Sequence, residues 1–360
     1  MSYNLTDYET LELKQDYQET VKRYEAFWNG DIIDRPIVNV FAPNPDYGDT
    51  SWYLDDYYAR MNDDLDELVG HIVGNVCKTK YMGEAVPQAF VSFGCDELAA
   101  FCGGETLYFS GDNHSTNWSK PFVEDWETVM PLSAKKDTPL WLRMQAFLDK
   151  CAEAMQGKML FTPLDLHSNL DLLSAMRGGE KLCLDLIDRP EVIDKALEQS
   201  MEIFEYFYNE TFKKYNLPAA NGITLQCDFS CMLSTSMFRR FALPYLEREA
   251  EYNNGRTLYH WDGVNALTHT DDLIASKGLY ALSFVPGTGN GEHTDFLDLY
   301  AKIQKGGKAV CVNGNQDQIK YMHKYLKPNK TIYHTSASSV QEAEELLDWF
   351  KKNTYSRLRN

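Results

Sequence analysis

From residue 137 onward the chain alternates between short apolar runs and longer amphipathic ones, and this rhythm restricts the fold more than any other feature. The apolar runs are Met159-Leu160-Phe161-Thr162-Pro163, Ile223-Thr224-Leu225-Gln226, Thr257-Leu258-Tyr259, Tyr280-Ala281-Leu282-Ser283-Phe284, Lys308-Ala309-Val310-Cys311-Val312 and Thr331-Ile332-Tyr333. Stretches of helical spacing separate and follow them: 141–155, a helix from about 169, then 190–215, 234–252, 266–276, 296–305, 316–325 and 340–351. Short apolar strands joined by helices build a parallel sheet covered on both faces. Two earlier runs, Ile37-Val38-Asn39-Val40-Phe41 and one near Phe90, bring the strand count to eight and predict a (β/α)8 TIM barrel. A doubly wound sheet would carry G-x-G-x-x-G after an early strand, and none occurs there. The glycine-rich run Pro286-Gly287-Thr288-Gly289-Asn290-Gly291 comes late and lacks the Lys-Ser/Thr of a phosphate loop, so it reads as a loop at the barrel mouth.

The remaining segments fit one domain spanning residues 1–360. Residues 1–30 form an N-terminal helical extension, with a helix over 10–30 stopped by Gly30. Residues 46–135 are an irregular, insertion-rich region near the mouth. There Trp52, Tyr53, Tyr57 and Tyr58 crowd an acidic stretch expected to be helical, and a short helix over 95–102 ends at Gly103-Gly104. This region is either a lid or a loop-rich closure of one end of the core. The net charge of −18 argues against nucleic acid or an anionic membrane as the main partner. The polar, acidic start and the lack of a long apolar run predict a cytoplasmic protein with no membrane span. Eight scattered cysteines without a C-x-x-C pair read as free thiols.

In a barrel the loops after the strands build the active site. Those positions hold Asp165 and His167, then Cys227, Asp228, Ser230 and Cys231, then His260 and Asp262, then Asn313, Asn315 and Gln316, then His334, Thr335 and Ser336. Strand alternation turns His260 and Asp262 to the same side. No lysine or arginine stands among these positions, so a highly anionic substrate finds little help. Asp165, Asp228 and Ser336 also suit simple helix N-caps. His260, Asp262 and His334 could hold a catalytic zinc with an open position, with Cys227, Asp228 or Cys231 as substitute ligands. Without a metal the same rim could donate and accept protons.

The chain resembles the uroporphyrinogen decarboxylase superfamily over residues 20–355. The resemblance rests on Gly30-Asp31-Ile32-Ile33-Asp34-Arg35-Pro36, on Leu172-Leu173-Ser174-Ala175-Met176-Arg177-Gly178 with Asp188-Arg189-Pro190-Glu191, and on Cys227-Asp228-Phe229-Ser230-Cys231-Met232-Leu233-Ser234. It continues through Phe238-Arg239-Arg240-Phe241-Ala242-Leu243-Pro244-Tyr245 and Asn313-Gly314-Asn315-Gln316-Asp317. It implies a distorted (β/α)8 barrel. Porphyrinogen decarboxylases carry an arginine-rich segment near the N-terminus, whereas residues 34–47 here contain only Arg35. The other branch, the corrinoid-dependent methyltransferases, holds zinc with His-x-Cys after the fifth strand and Cys after the last. Here His260-Trp261-Asp262 and Tyr333-His334-Thr335 occupy those places.

The resemblance therefore implies a corrinoid-linked methyltransferase, with zinc at His260, Asp262 and His334 and a cobalamin-type corrinoid on a partner protein. The acceptor would be a thiol or a tetrahydrofolate-type molecule. Asp228 and His167 are expected to orient the acceptor or manage its proton, and Asn315, Gln316, Ser230 and Trp261 to contact substrate. The alternatives are a metal-free decarboxylase, in which Asp228 or His260 protonates the intermediate, and a non-catalytic binding protein of a methyl-transfer system.

Overall fold

The computed structural model describes residues 8–48, 56–110, 115–217 and 221–358. Its strands are β1 (Ile37–Pro43), β2 (Thr79–Gly83), β3 (Gln88–Val91), β4 (Glu105–Ser110), β5 (Ser115–Lys120), β6 (Leu160–Pro163), β7 (Ile223–Gln226), β8 (Thr257–Asp262), β9 (Ala281–Val285), β10 (Ala309–Asn313) and β11 (Thr331–Ser336). A seven-stranded sheet runs in the order β2-β1-β11-β10-β9-β8-β7, and β3 pairs with β6 in a separate two-stranded sheet. Every pairing in these two sheets is parallel except β1 with β2. All eight expected strands are present, but their hydrogen bonds do not close a ring. The fold is a mostly parallel α/β architecture of TIM-barrel kind, built as two arcs. One structural cause is visible at β1, whose outer edge pairs with antiparallel β2 instead of β3.

Strand alternation nevertheless turns one face of all eight parallel strands toward a common cavity. Asn39, Gln88, Thr162, Thr224, His260, Ser283, Asn313 and His334, one from each strand, line it. The floor of this cavity is made by the helix Tyr17–Trp28, whose Tyr24, Phe27 and Trp28 pack on Ile37, Ala281, Ala309, Cys311 and Ile332. The hydroxyl of Tyr24 meets Asn39 at 3.3 Å. Just outside β1, Glu84 is fully buried and receives Arg35 Nη2 at 2.7 Å, the Val38 N–H at 2.9 Å and Arg23 Nε at 3.4 Å.

Several boundaries differ from the sequence expectation. The first helix starts at Tyr17, not near residue 10, because Leu11 and Lys14 form a bridge and buried Lys14 donates to the Gly83 carbonyl at 2.7 Å. Gly30 does end it, at φ +73°. The helix expected over 234–252 is two, Thr235–Phe241 and Leu243–Glu251, since Pro244 has no N–H to continue the first. The helix expected over 190–215 runs as Pro190–Tyr208 and continues into a π-helical turn, Asn209–Lys213. The irregular region holds the hairpin β4–β5, which no periodicity announced. Of the aromatic stretch, Tyr57–Asn62 is helical, while Trp52 and Tyr53 lie outside the described residues. No helix among the described residues is long and apolar enough to cross a membrane.

Candidate functional site

The barrel cavity has a volume of about 710 Å³. On β8, Leu258 and His260 face into it, while Tyr259 and Trp261 point outward and are buried in the core. His260 is held below its ordinary pKa by burial, with Asp262 offsetting part of the effect. Desolvation pushes His334 down to about 4, so its ring is neutral at physiological pH. That ring sits beside the Asn39 amide at 3.3 Å. The lining includes Asp165 and no lysine or arginine.

A second cavity of about 320 Å³ opens beside the first at the C-terminal ends of the strands. His167, Asp171 and Asp228 line it, together with Cys95, Asp96, Trp118 and Ser119. The two cavities share a wall. Asp165 lines the barrel side, and its Oδ2 lies 3.1 Å from His167 Nε2 on the rim side. His167 Nδ1 lies 3.5 Å from Asp171 Oδ2. Burial opposes protonation of His167, but the two flanking carboxylates outweigh it and hold the imidazole well above its ordinary pKa. Asp171 also accepts the backbone N–H groups of Asp228 (2.9 Å) and Phe229 (2.8 Å), which fixes the turn after β7. The Asp228 side chain is thereby presented to the cavity with Oδ1 buried and unpartnered. Burial, then the neighbouring Asp171 charge, raise its pKa to about 7.

Two buried glutamates brace this wall from behind. Glu97 receives the N–H groups of Phe93 and Asp165, each at 2.7 Å. Glu249 receives Ser168 Oγ at 2.5 Å and the Asn169 amide at 3.2 Å. Asn169 itself holds φ +49° and Leu164 φ +48°, two non-glycine residues in the left-handed region flanking His167. Burial raises both glutamates to about 8. A carboxylate whose folded pKa exceeds its unfolded value takes up a proton on folding. Its cost is absent below the unfolded value, near 4.5, and grows until the pH passes about 8. Stability from this pair should therefore fall as pH rises through that window. Glu249→Gln should raise Tm at pH 8.5 by about 2–4 °C, the response of a large domain to roughly 1 kcal/mol, and change little at pH 5. Thermal unfolding at both pH values checks this.

The structure brings His167 and Asp228 together at the rim, and His260 and His334 into the barrel cavity. The expected zinc set is not assembled. His260 on β8 and His334 on β11 both line the barrel cavity, while Asp262 is exposed at its strand end and does not line it. Among the described residues no three His, Cys, Asp or Glu side chains gather as ligands for one metal. Burial raises the thiol pKa of both Cys227 and Cys231, the substitute ligands. The expected substrate contacts are also corrected. Trp261 is a core residue whose indole N–H donates to the Ala266 carbonyl at 3.1 Å. Ser230 is buried within the turn Asp228–Met232, its carbonyl meeting His269 Nε2. Asn315 and Gln318 form a capping box on the helix Gln316–His323, and Gln316 Nε2 reaches the Ser336 carbonyl. None of these four lines either cavity.

Sequence reasoning missed Asp171, Asp96 and Trp118. The four-residue spacing from His167 to Asp171 is a helical contact distance and could have signalled the first. The others come from the irregular region, where no pattern fixed their neighbours. Arg35, the only arginine in the segment where porphyrinogen decarboxylases are rich in them, is spent on Glu84 below the floor.

No protein-family model matches the chain, and no curated protein matches it in sequence. Among solved structures it is similar to a methyltransferase from Methanosarcina mazei, with a TM-score of 0.59 and 12% identity over 93% of this chain and 99% of that one. At this identity the likeness is one of fold.

Proposed function

We propose that this protein is a methyltransferase that exchanges a methyl group between a corrinoid carried by a partner protein and a small molecule seated at the barrel mouth. The observation that carries the reading is a polar chamber with an apolar lip. Among the described residues, neither of the two neighbouring cavities is lined by a lysine or arginine. Exposed Phe41, Phe90 and Trp118 stand around them, with exposed Met232 in the turn after β7. Such a lip suits the flat, largely apolar face of a macrocycle, and the fold is shared with a known methyltransferase. A corrinoid, when docked there, supplies the cobalt that gives or takes the methyl group.

The chain's own residues bind and orient the small molecule. Asp228, titrating near neutrality, accepts the proton that an N–H or S–H acceptor sheds when its lone pair forms the bond to carbon. His167, held between Asp165 and Asp171, fixes the geometry of the wall. The donor set does not fit zinc, because among the described residues no three His, Cys, Asp or Glu side chains converge. A decarboxylase is disfavoured because a carboxylate substrate would meet Asp96, Asp165, Asp171 and Asp228 with no lysine or arginine to hold it.

Free cobalamin can stand in for the carrier. Methylcobalamin with neutral thiols and amines, and reduced cobalamin with methylated compounds, should each be followed by cobalt absorbance. Protein-dependent methyl exchange in either direction is the expected result, and its absence in both would overturn the reading.

A further inference from the structure

We propose that the barrel cavity binds an uncharged aromatic compound with oxygen substituents, held between the rings of Phe41 and Phe90 and the polar side chains of Thr162, Thr224, His260 and Asn313. This rests on the function proposed above and deepens it, since it restricts the methyl-exchanging small molecule to uncharged ones.

The polar groups around the cavity are mostly hydroxyls, amides and imidazoles. The side chains of Thr162, Thr224, His260 and Asn313, on four different strands, have no hydrogen-bond partner among the described residues. They are not sealed in the core. Thr224 and Asn313 are exposed, and Thr162 and His260 are partly so. Each can therefore exchange a water for a group on a ligand. Hydroxyls, amides and neutral imidazoles all both donate and accept, which is what hydroxyl and ether oxygens need. One side of the cavity is set before a ligand arrives, because the Asn39 amide meets both Tyr24 and His334 at 3.3 Å.

The charge balance excludes an ion. Among the described residues no lysine or arginine lines the cavity, and burial lowers the pKa of both of its histidines, so an anion finds no counter-charge. Asp165 is the one acid in the described lining, and it is already engaged. Its Oδ2 lies 3.1 Å from His167 Nε2, and its Oδ1 accepts the Gln226 amide. A cation would have to compete with the imidazolium that the wall already holds. An ion brought into such a space loses hydration that nothing there replaces.

The apolar part of the lining suits a ring. Phe41 and Phe90 are 37% and 42% exposed, on the same strand faces as Asn39 and Gln88 and two residues further along. The Phe41 ring is held edge-on by Tyr81, with centroids 5.9 Å apart. Aromatic faces left open inside a cavity are ready to pack on another ring. The volume of about 710 Å³ is that of a site for a small organic molecule.

Titration calorimetry of the full chain at pH 7.5, without any corrinoid, tests the site. Three probes share a phenol ring and differ in charge: tyrosol is neutral, para-hydroxyphenylacetate anionic and tyramine cationic. Inositol is the uncharged control with hydroxyls and no aromatic ring. Tyrosol should bind, the two ions at least about tenfold more weakly, and inositol not at all. Thr224→Val, which removes one hydroxyl at constant shape, should weaken tyrosol about 2–10-fold, the size of one net hydrogen bond. Asn313→Lys should reverse the order, so that para-hydroxyphenylacetate binds more tightly than tyrosol. Both positions are exposed, and circular dichroism should show both variants folded. No tyrosol binding, equal or tighter binding of either ion or of inositol, tyrosol affinity unchanged by Thr224→Val, or an order unchanged by Asn313→Lys would overturn the proposal. Because no methyl transfer is read, tyrosol binding without methyl exchange would retain this site and remove the proposed function. Methyl exchange on charged thiols or alkylamines alone, with no tyrosol binding, would do the reverse.

Discussion

Asp228→Asn is expected to slow methyl exchange by about 10²–10³-fold, within the range that a positioned general acid or base contributes. The substitution keeps the size and shape of the side chain. It also keeps the turn, because the backbone N–H groups of Asp228 and Phe229 are held by Asp171 rather than by the Asp228 carboxylate. The variant should therefore fold, and should lose the partial charge that burial and Asp171 oppose. The pH profile separates chemistry from structure. With Asp228 titrating at about 7, the wild-type rate should show an inflection there, rising as the carboxylate ionises. Asparagine has no such proton, so the inflection should vanish while any slope from the acceptor itself persists. An inflection near pH 7 that survives in the variant would remove Asp228 from the proton step.

The largest stability effect should come from the opposite end of the barrel. Glu84→Gln should lower the unfolding free energy by about 3–5 kcal/mol, since it leaves buried guanidinium charge without its carboxylate. Glu84 is 1% exposed, and it receives Arg35 through both oxygens, Arg23, and the N–H of Val38 at the start of β1. One side chain thus joins the first helix, β1 and the segment after β2. Denaturant unfolding measures the loss. Arg35→Met combined with Glu84→Leu should recover part of it, because no Arg35 charge is then stranded and Arg23 keeps Asp34, while the Val38 N–H still loses its acceptor.

The strands were legible because period-two apolar runs bounded by turns leave few alternatives, and the strand-end rule then located His167 and Asp228. The same rule overreached at Trp261, although alternation with His260 already sends Trp261 to the other face. Asn315 caps a helix, as its spacing to Gln318 marks, and lines neither cavity. Zinc was expected from residue types. Sequence order cannot show whether side chains from distant strands converge, and among the described residues no three such ligands do. Trp118 and Asp96 were beyond reach for a different reason. They come from a hairpin and a short helix whose positions are set by packing on the barrel and not by any period of their own.

The packing of the helix Tyr17–Trp28 under the barrel floor has a consequence for how the molecule forms. Its partners Ala281, Ala309 and Ile332 are separated from it by most of the polypeptide. Asn329 donates to the Gly30 carbonyl, and β1 pairs directly with β11. During synthesis, β2 can pair with one edge of β1 early, but this helix and the other edge of β1 wait for their neighbours until about residue 336 has been made. Contacts so distant along the chain carry a large loop-closure cost and make folding slow. Until they form, the parts of Phe27, Trp28 and Ile37 that pack on Ala281, Ala309 and Ile332 stay uncovered, so the nascent chain is most vulnerable to aggregation before its last strand arrives.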